Sequence, residues 1–354
     1  MKRNNSLLSF GIVFFLLMLV GLQARATEYT QTQKKSFKVK KGALLNINTE
    51  FSEVKAYNWD KSEISIEATI TVDASSESKA NDRFNRIDIK LDGNPDLVNI
   101  ISRIESGFFN KNNNNIHIEF LVYYPQNIRL KSNMQFGKAF FENIDGDTDI
   151  DNEYAGFNAQ NLLSTENQIQ IAFGSLSLTK ITEGRIEVEY GTCQIEEAEK
   201  LNLRTSFSGN VSVEKVDELI LKSAYDKISI GQVNNISGSV EFSGFNLDMM
   251  NESMDMKASY GSFKVKSISN DFNFISLKSE FCSLKLYVEP TASFQFSADV
   301  ELGSFHYPKE KVTVTSFQKD ITDLRVEGYF GSNEKAKGTM RLTVENASAN
   351  INLK

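Results

Sequence analysis

The densest run of oxygen ligands in this 354-residue chain is Asp145-Gly146-Asp147-Thr148-Asp149-Ile150-Asp151-Asn152-Glu153. Carboxylates at every second position resemble a calcium loop, because calcium favours clustered hard oxygens. Ile150 stands where a helix–loop–helix calcium loop needs glycine. The run also reads as a plain strand, with Thr148, Ile150 and Asn152 inward and the aspartates outward. Successive carboxylates would then stand roughly 6.5–7 Å apart, too far for one ion to gather without a neighbouring element. Asp145, Asp147, Asp149 and Asp151 are therefore the calcium candidates, set against the blander reading of a solvated acidic face.

Other chemistry is sparse. The chain has only two histidines, His117 and His306. His117 alternates with Ile116 and Ile118, which points it to solvent, and a Ser-His-Asp triad has nothing nearby to support it. The two cysteines, Cys193 and Cys282, are too few for a disulfide framework and too far apart for a metal pair. They read as two unpaired thiols, one or both at least partly buried. No catalytic residue, no cofactor and no metal beyond that calcium candidate are expected.

The elements that would position such groups repeat. Between residues 136 and 281 an aromatic closes a short alternating run nine times, at Phe136, Tyr154, Phe173, Tyr190, Phe207, Tyr225, Phe242, Tyr260 and Phe281. Phe and Tyr alternate strictly, and the spacings run from 17 to 21 residues, mostly 17 or 18. A fixed short period marks a repeat architecture. Ser208–Tyr225 illustrates the unit: Ser-Gly-Asn, Val211-x-Val213, Val216, then Leu219-x-Leu221-x-Ser223-x-Tyr225. Period-2 parity places the ring on the face of the apolar residues before it, which predicts a buried aromatic spine. A fully buried Phe207 or Tyr225 would then cost about 3–5 kcal/mol on truncation to Ala. Small residues two before the ring (Thr205, Ser223, Ala258, Ser279) would let it lie flat. Glycine follows at Gly137, Gly174, Gly191 and Gly261, which suggests φ > 0 there. The alternation leaves open whether one coil holds one unit or two.

The expected fold is all-β: a single-stranded, right-handed β-solenoid (β-helix) over 136–307, with an atypical N-terminal region at 27–135 and C-terminal strands at 308–354. The N-terminal region carries strand patterns at Phe37-x-Val39, Leu45-x-Ile47, Ile64 to Val72 and Ile116 to Val122. A short helix is predicted over Ser75–Arg86, with Ala80, Phe84 and Ile87 on one face and Ser75 or Ser76 as cap. Gly107–Asn115 and Glu334–Lys337 read as loops. Thr339–Leu353 returns to alternation and is expected to cap the far end.

Residues 1–26 have the form of a signal peptide: Lys2 and Arg3, the apolar run Leu7–Leu22, then Ala24-Arg25-Ala26. Cleavage after Ala26 leaves 328 residues with a net charge of −10, and no second long apolar stretch. That charge argues against nucleic acid as a partner. The expectation is an exported chain, periplasmic rather than displayed or secreted, without stable membrane insertion once the leader is removed.

Phe37-x-Val39, Gly42-x-Leu44, Trp59-Asp60-Lys61, Val122-Tyr123-Tyr124-Pro125-Gln126-Asn127 and the repeated aromatic-Gly turns resemble a bacterial family of exported β-strand-repeat proteins labelled putative adhesins. The resemblance covers nearly the whole mature chain. It implies a β-solenoid and an extracytoplasmic location, and it carries no catalytic residues. The reading is thus a non-catalytic scaffold or adhesin-like binding module whose partner is an envelope protein or glycan. The alternative is a carbohydrate-active β-helix enzyme, a polysaccharide lyase or hydrolase, which needs an outward groove of carboxylates and aromatics. The outward positions are mixed: Asn202, Arg204, Glu187, Glu189, Lys222, Glu241, Asp255, Lys257, Lys278 and Glu280 form no column of one chemical type.

Overall fold

Alternation of apolar and polar residues becomes strand nearly everywhere in the computed structural model, which describes residues 27–108, 115–332 and 336–354. The expected leader lies outside the described residues, as do 109–114 and 334–335 of the two expected loops. The strands join one mixed sheet of 24 strands. The first part comprises β1 (Thr27–Lys38), β2 (Leu44–Glu50), β3 (Ser52–Asn58), β4 (Glu63–Ala74), helix α1 (Glu77–Phe84), β5 (Ile87–Asn94), β6 (Leu97–Ile104) and β7 (Ile116–Tyr124). Helix α1 falls where its pattern predicts: the Ser76 hydroxyl accepts from the Lys79 backbone N–H, and Ala80 and Phe84 are buried.

The regular units follow as β8 (Arg129–Ile144), β9 (Thr148–Leu162), β10 (Asn167–Ala172), β11 (Ser175–Glu189), β12 (Thr192–Ser206), β13 (Asn210–Ala224), β14 (Lys227–Glu241) and β15 (Gly244–Ser259). Each pairs in parallel with the next, residue onto equivalent residue: Leu203 faces Leu221, and Leu221 faces Gly238. One unit therefore stacks directly on the next as one rung, which answers the question the alternation leaves open. Every rung buries the same inward set, such as Cys193, Ile195, Ala198, Leu201 and Leu203, then Val211, Val213, Val216, Leu219 and Leu221. Burial on the order of 1.5–3 kcal/mol per large side chain makes this column the main favourable term.

Both ends depart from the expected boundaries. Strands β2 and β3 already form a rung: Leu44 pairs with Arg129 and Glu53 with Lys138, both in parallel. The stack thus begins at Leu44 rather than at residue 136, and residues 59–108 and 115–128 fold as a cap on its first rung. Within that cap β6 and β7 supply one further parallel layer, and β4, β1 and β5 close it with antiparallel pairs.

After β15 come β16 (Ser262–Ile268), β17 (Phe274–Glu280), β18 (Ser283–Val288), β19 (Phe294–Glu301), β20 (Ser304–His306), β21 (Val312–Lys319), β22 (Asp323–Phe330), β23 (Thr339–Glu345) and β24 (Ser348–Leu353). Strands β23 and β24 do not cap the far end. They lie between two earlier rungs, β23 pairing with β17 on one side and β19 on the other, and β24 with β18 and β20. The antiparallel hairpin of β21 and β22 covers β19 instead.

The largest correction concerns the aromatic series. The nine rings from Phe136 to Phe281 are 43–51% exposed, so they stand outside the core. Each takes a left-handed backbone, with φ between +49° and +62° across Phe51 and these nine. Period-2 parity assumes an extended backbone; a left-handed residue breaks it and throws its side chain off the corner. The residue two before still points inward, and at several corners it makes a polar contact. Thr205 and Ser223 donate to the buried Asp226 carboxylate at 2.6 Å, which also accepts from the Ser208 backbone N–H at 2.6 Å.

The glycines that follow the rings have another cause than the one expected. Gly137 and Gly174 do not have positive φ. A Cβ there would stand 2.0 Å from the Ser52 carbonyl oxygen and 2.2 Å from that of Ala155, so close approach of adjacent rungs excludes side chains.

The core and the ring series should separate cleanly on mutation. Phe245→Ala, at a fully buried ring, is expected to cost about 3–5 kcal/mol. Phe207→Ala should cost no more than about 1–2 kcal/mol, the scale of lost stacking. Denaturation midpoints check this, and equal shifts would return the Phe207 ring to the core. Cys193 and Cys282 are free and buried, and burial pushes the Cys193 thiol up to about 12 and raises that of Cys282. Neither should react with a disulfide reagent at pH 8 until the chain is unfolded; rapid native-state labelling would contradict the packing.

Candidate functional site

The left-handed corners line up because the rungs are in register, and their side chains form one continuous stack. Starting at Phe51 and running from Phe136 to Phe281, ten rings follow one another at centroid spacings of 4.7–5.0 Å, with planes 2–14° apart. The stack is about 44 Å long. Backbone bonds between rungs hold the corners: the Tyr190 N–H donates to the Ser206 carbonyl at 3.0 Å and the Phe207 N–H to that of Ala224 at 3.0 Å. The corner continues at Asn346 and Leu302, which share the positive φ without a ring.

Stacking occupies the faces of the interior rings, so the surface they offer is a row of ring edges. Tyrosines at every second regular rung (Tyr154, Tyr190, Tyr225, Tyr260) place a hydroxyl about 10 Å from the next one. Half-exposed rings of this type each show roughly 100 Å². Nine of them give roughly 900 Å², beyond the largest apolar patch a typical monomer carries. Sequence reasoning found the residues and put them on the wrong side. Phe51 it missed altogether, because 85 residues of sequence separate it from the ring it stacks on.

The mixed outward positions resolve into columns once the register is known. Glu153, Glu189, Glu241 and Glu280 directly precede rings and are exposed beside them, and Glu345 and Glu301 continue the column past the last ring. None of these six forms an ion pair among the described residues. Ser206, Ala224 and Ser259 interrupt the column, and two residues before them lie Arg204, Lys222 and Lys257, as Lys278 lies two before Glu280. Arg204 is paired with Glu187 at 3.4 Å. On the opposite margin one column holds Lys138, Gly156, Ser175, Thr192, Asn210 and Lys227.

The aspartates of the calcium candidate are engaged separately. The Asp145 carboxylate accepts from the Gln126 amide at 2.8 Å, Asp147 from the Ser164 hydroxyl at 2.7 Å, and Asp149 pairs with the Lys131 ammonium at 2.6 Å. Asp151 is exposed beside them, and Thr148, Ile150 and Asn152 point inward.

His117, His306, Cys193 and Cys282 lie in four different places. His117 does meet acids: its ligand atom and those of Glu53 and Glu119 lie within 4.8 Å of one another. The pairing of β3 on β7 creates this group, so no local spacing in the sequence could show it. Two ammoniums already neutralise it. Lys55 lies 2.5 Å from Glu119 and 3.5 Å from Glu53, and Lys138 lies 3.2 Å from Glu53. His306 reaches the Ser304 hydroxyl at 3.5 Å near the other end.

No protein-family model matches the chain, and no curated protein matches its sequence. Solved structures that match include a putative cell adhesion protein from Clostridium sporogenes, at 9% identity over 93% of this chain and 100% of that one, with a TM-score of 0.21. A putative adhesin from Bacteroides fragilis matches at 14% identity over 73% and 97%, with a TM-score of 0.27. A putative lipid binding protein from Parabacteroides distasonis matches at 11% identity over 72% and 96%, with a TM-score of 0.28. The adhesin label that the residues suggest thus recurs among the structures this chain is similar to. At these scores the likeness carries no argument about a ligand. No helix among the described residues is long and apolar enough to cross a membrane.

The Glu53 cluster has a measurable electrostatic signature. Desolvation pushes the Glu53 carboxyl up, but hydrogen bonding and charge from Lys138, then Lys55, outweigh it and hold the group below its ordinary 4.5. A depressed carboxyl stabilises the fold above its unfolded-state pKa, and that contribution is lost as pH falls through the folded value. Lys138→Met should therefore raise the Glu53 pKa in a carboxyl NMR titration. It should also narrow the stability gap between pH 7 and acid. An unmoved Glu53 titration would remove Lys138 as the cause.

Proposed function

We propose that this protein is a non-catalytic, exported binding module, a right-handed β-solenoid with one unit per coil whose ring ladder is the docking surface. The observation that carries the reading is the pairing of strain with exposure. A non-glycine residue in the left-handed region costs about 1–2 kcal/mol, and stacking returns about 0.5–1.5 kcal/mol per ring pair. Glycine would serve the corner about as well, so stability alone does not call for a large ring at each of ten successive corners. Backbone strain kept at a surface row of one side-chain type is a mark of function.

The form of the ladder favours a protein partner over a glycan. Sugars stack on exposed ring faces, whereas here neighbouring rings cover the faces and present edges. The same geometry withholds the aromatic platform that a lyase or hydrolase on this scaffold would use. Export rests on the leader-like residues 1–26, and periplasmic residence is the location proposed with it.

The test is capture from an envelope extract by the wild-type chain and by a Tyr190→Ser/Phe207→Ser/Tyr225→Ser variant with an unchanged circular dichroism spectrum. A partner retained by the wild type and lost by the variant is the expected result. Equal capture by both would remove the ladder as the binding surface.

A further inference from the structure

The edges of the sheet differ in how they are guarded. Among the described residues four strands pair on one side only: β1, β5, β20 and β21. Strand β1 carries Lys34, Lys35 and Lys38, β5 carries Asp88, Lys90 and Asp92, and β20 is three residues long. Charge and shortness of this kind keep another strand away. Strand β21 has neither protection. From Val312 to Phe317 it is β-branched, aromatic or small and polar, with no charge before Lys319 at its end and no glycine or proline. Val314 and Phe317 are exposed on it. We infer that β21 is the seam of a homodimer, pairing antiparallel with β21 of a second copy about a two-fold axis between Thr315 and Ser316.

The backbone selects both that partner and that register. Strand β21 meets β22 with a bulge between Val314 and Ser316, where the Thr315 hydroxyl donates to the Glu327 carbonyl at 3.2 Å. Before the bulge, the Gly331 N–H donates to the Lys311 carbonyl at 2.8 Å, so 311 and 313 turn their backbone groups toward β22. Alternation then turns those of Val312 and Val314 outward. After the bulge, the Asp320 N–H donates to the Asp323 carbonyl at 2.8 Å. Residues 318 and 320 therefore face β22, and Phe317 and Lys319 turn outward. A regular partner strand would keep step with one half of β21 and lose the other. A second β21 has the same change of phase at the same place. The two-fold axis sets Val312 opposite Lys319 of the second copy and Val314 opposite Phe317, so outward groups meet outward groups on both sides of the bulge.

The side chains agree with this register. The exposed Val314 lies beside Phe317 of the second copy, and the pair recurs across the axis. Thr313 meets Gln318, and Lys311 meets Asp320, which places opposite charges across the seam. Head-to-tail pairing with β1 of another copy would bring Lys319 against a strand that already holds three lysines. Strand β1 also pairs with β4 without any register shift, so it has no bulge to match that of β21.

The experiment is sedimentation velocity on the full mature chain from about 1 to 200 µM, because a single strand pair lies at the small end of specific interfaces. A monomer–dimer equilibrium is expected, with no larger species. Phe317→Pro removes an outward N–H and spares the bonds to β22; it should weaken dimerisation at least about tenfold. Val314→Lys/Phe317→Lys, altered only at exposed positions, should do the same. Thr313→Cys/Gln318→Cys should give a disulfide-linked dimer under mild oxidation, since a non-hydrogen-bonded antiparallel pair holds its Cα atoms about 4.5 Å apart. Thr313→Cys alone should not, because the two copies of residue 313 stand roughly 17 Å apart in this register. Cys193 and Cys282 are buried and take no part. A monomer at every concentration would overturn the inference. So would a dimer that survives both Phe317 variants, a double-cysteine variant that stays unlinked, or oligomers that grow without closing. The Tyr190→Ser/Phe207→Ser/Tyr225→Ser variant should dimerise as the wild type does; loss of the dimer there would move the contact to the rings and overturn the seam.

Discussion

Every rung must turn at the same place, and the left-handed corner is where it does so. One residue per rung adopts φ near +50° and donates its backbone N–H to the next rung. Because the corners are tied to one another, the register between rungs cannot slip without breaking the whole row of bonds. Equivalent residues then stack into columns: an apolar column inside, small or polar residues beneath the corner, and rings outside it. Gly137 and Gly174 are glycines because this locking brings backbones too close for a Cβ.

The corner has an energetic consequence for the surface. Strain and ring stacking are of similar size, so the rings neither stabilise the stack much nor burden it. Side-chain identity at the corner is therefore free to answer to what lies outside. The polar residues beneath show the same economy. Thr205, Ser208 and Ser223 converge on Asp226, so a carboxylate sits buried with three donors instead of none.

The ends follow from the edge problem of any parallel stack. A bare terminal rung would present unpaired backbone and invite another chain. At the first end the segment between β3 and β8 supplies a further layer and antiparallel covers. At the other, the chain overshoots with β19 to β22 and then returns, laying β23 and β24 between rungs already made. The order of rungs in space is thus not their order in sequence.

Much of this was legible in the chain. The helix after Ser76, the strand from Ile64 to Val72, and the burial of Val211, Val213, Leu219 and Leu221 all follow from local periodicity, because inward and outward alternate wherever the backbone is extended. The repeat itself was visible for the same reason. What local reading could not reach was any property set by backbone handedness or by non-local register. The side of Phe207 depended on a single left-handed residue, which inverts parity without leaving a mark in the pattern. Phe51 on Phe136, Glu53 beside His117, the glutamate column, and the return of β23 all join residues distant in sequence. The amino acids alone determined that there would be strands, how long each unit would be and which residues would fill the core. Only the tertiary structure decided that the aromatic row faces outward, because that depends on how the corners lock to one another.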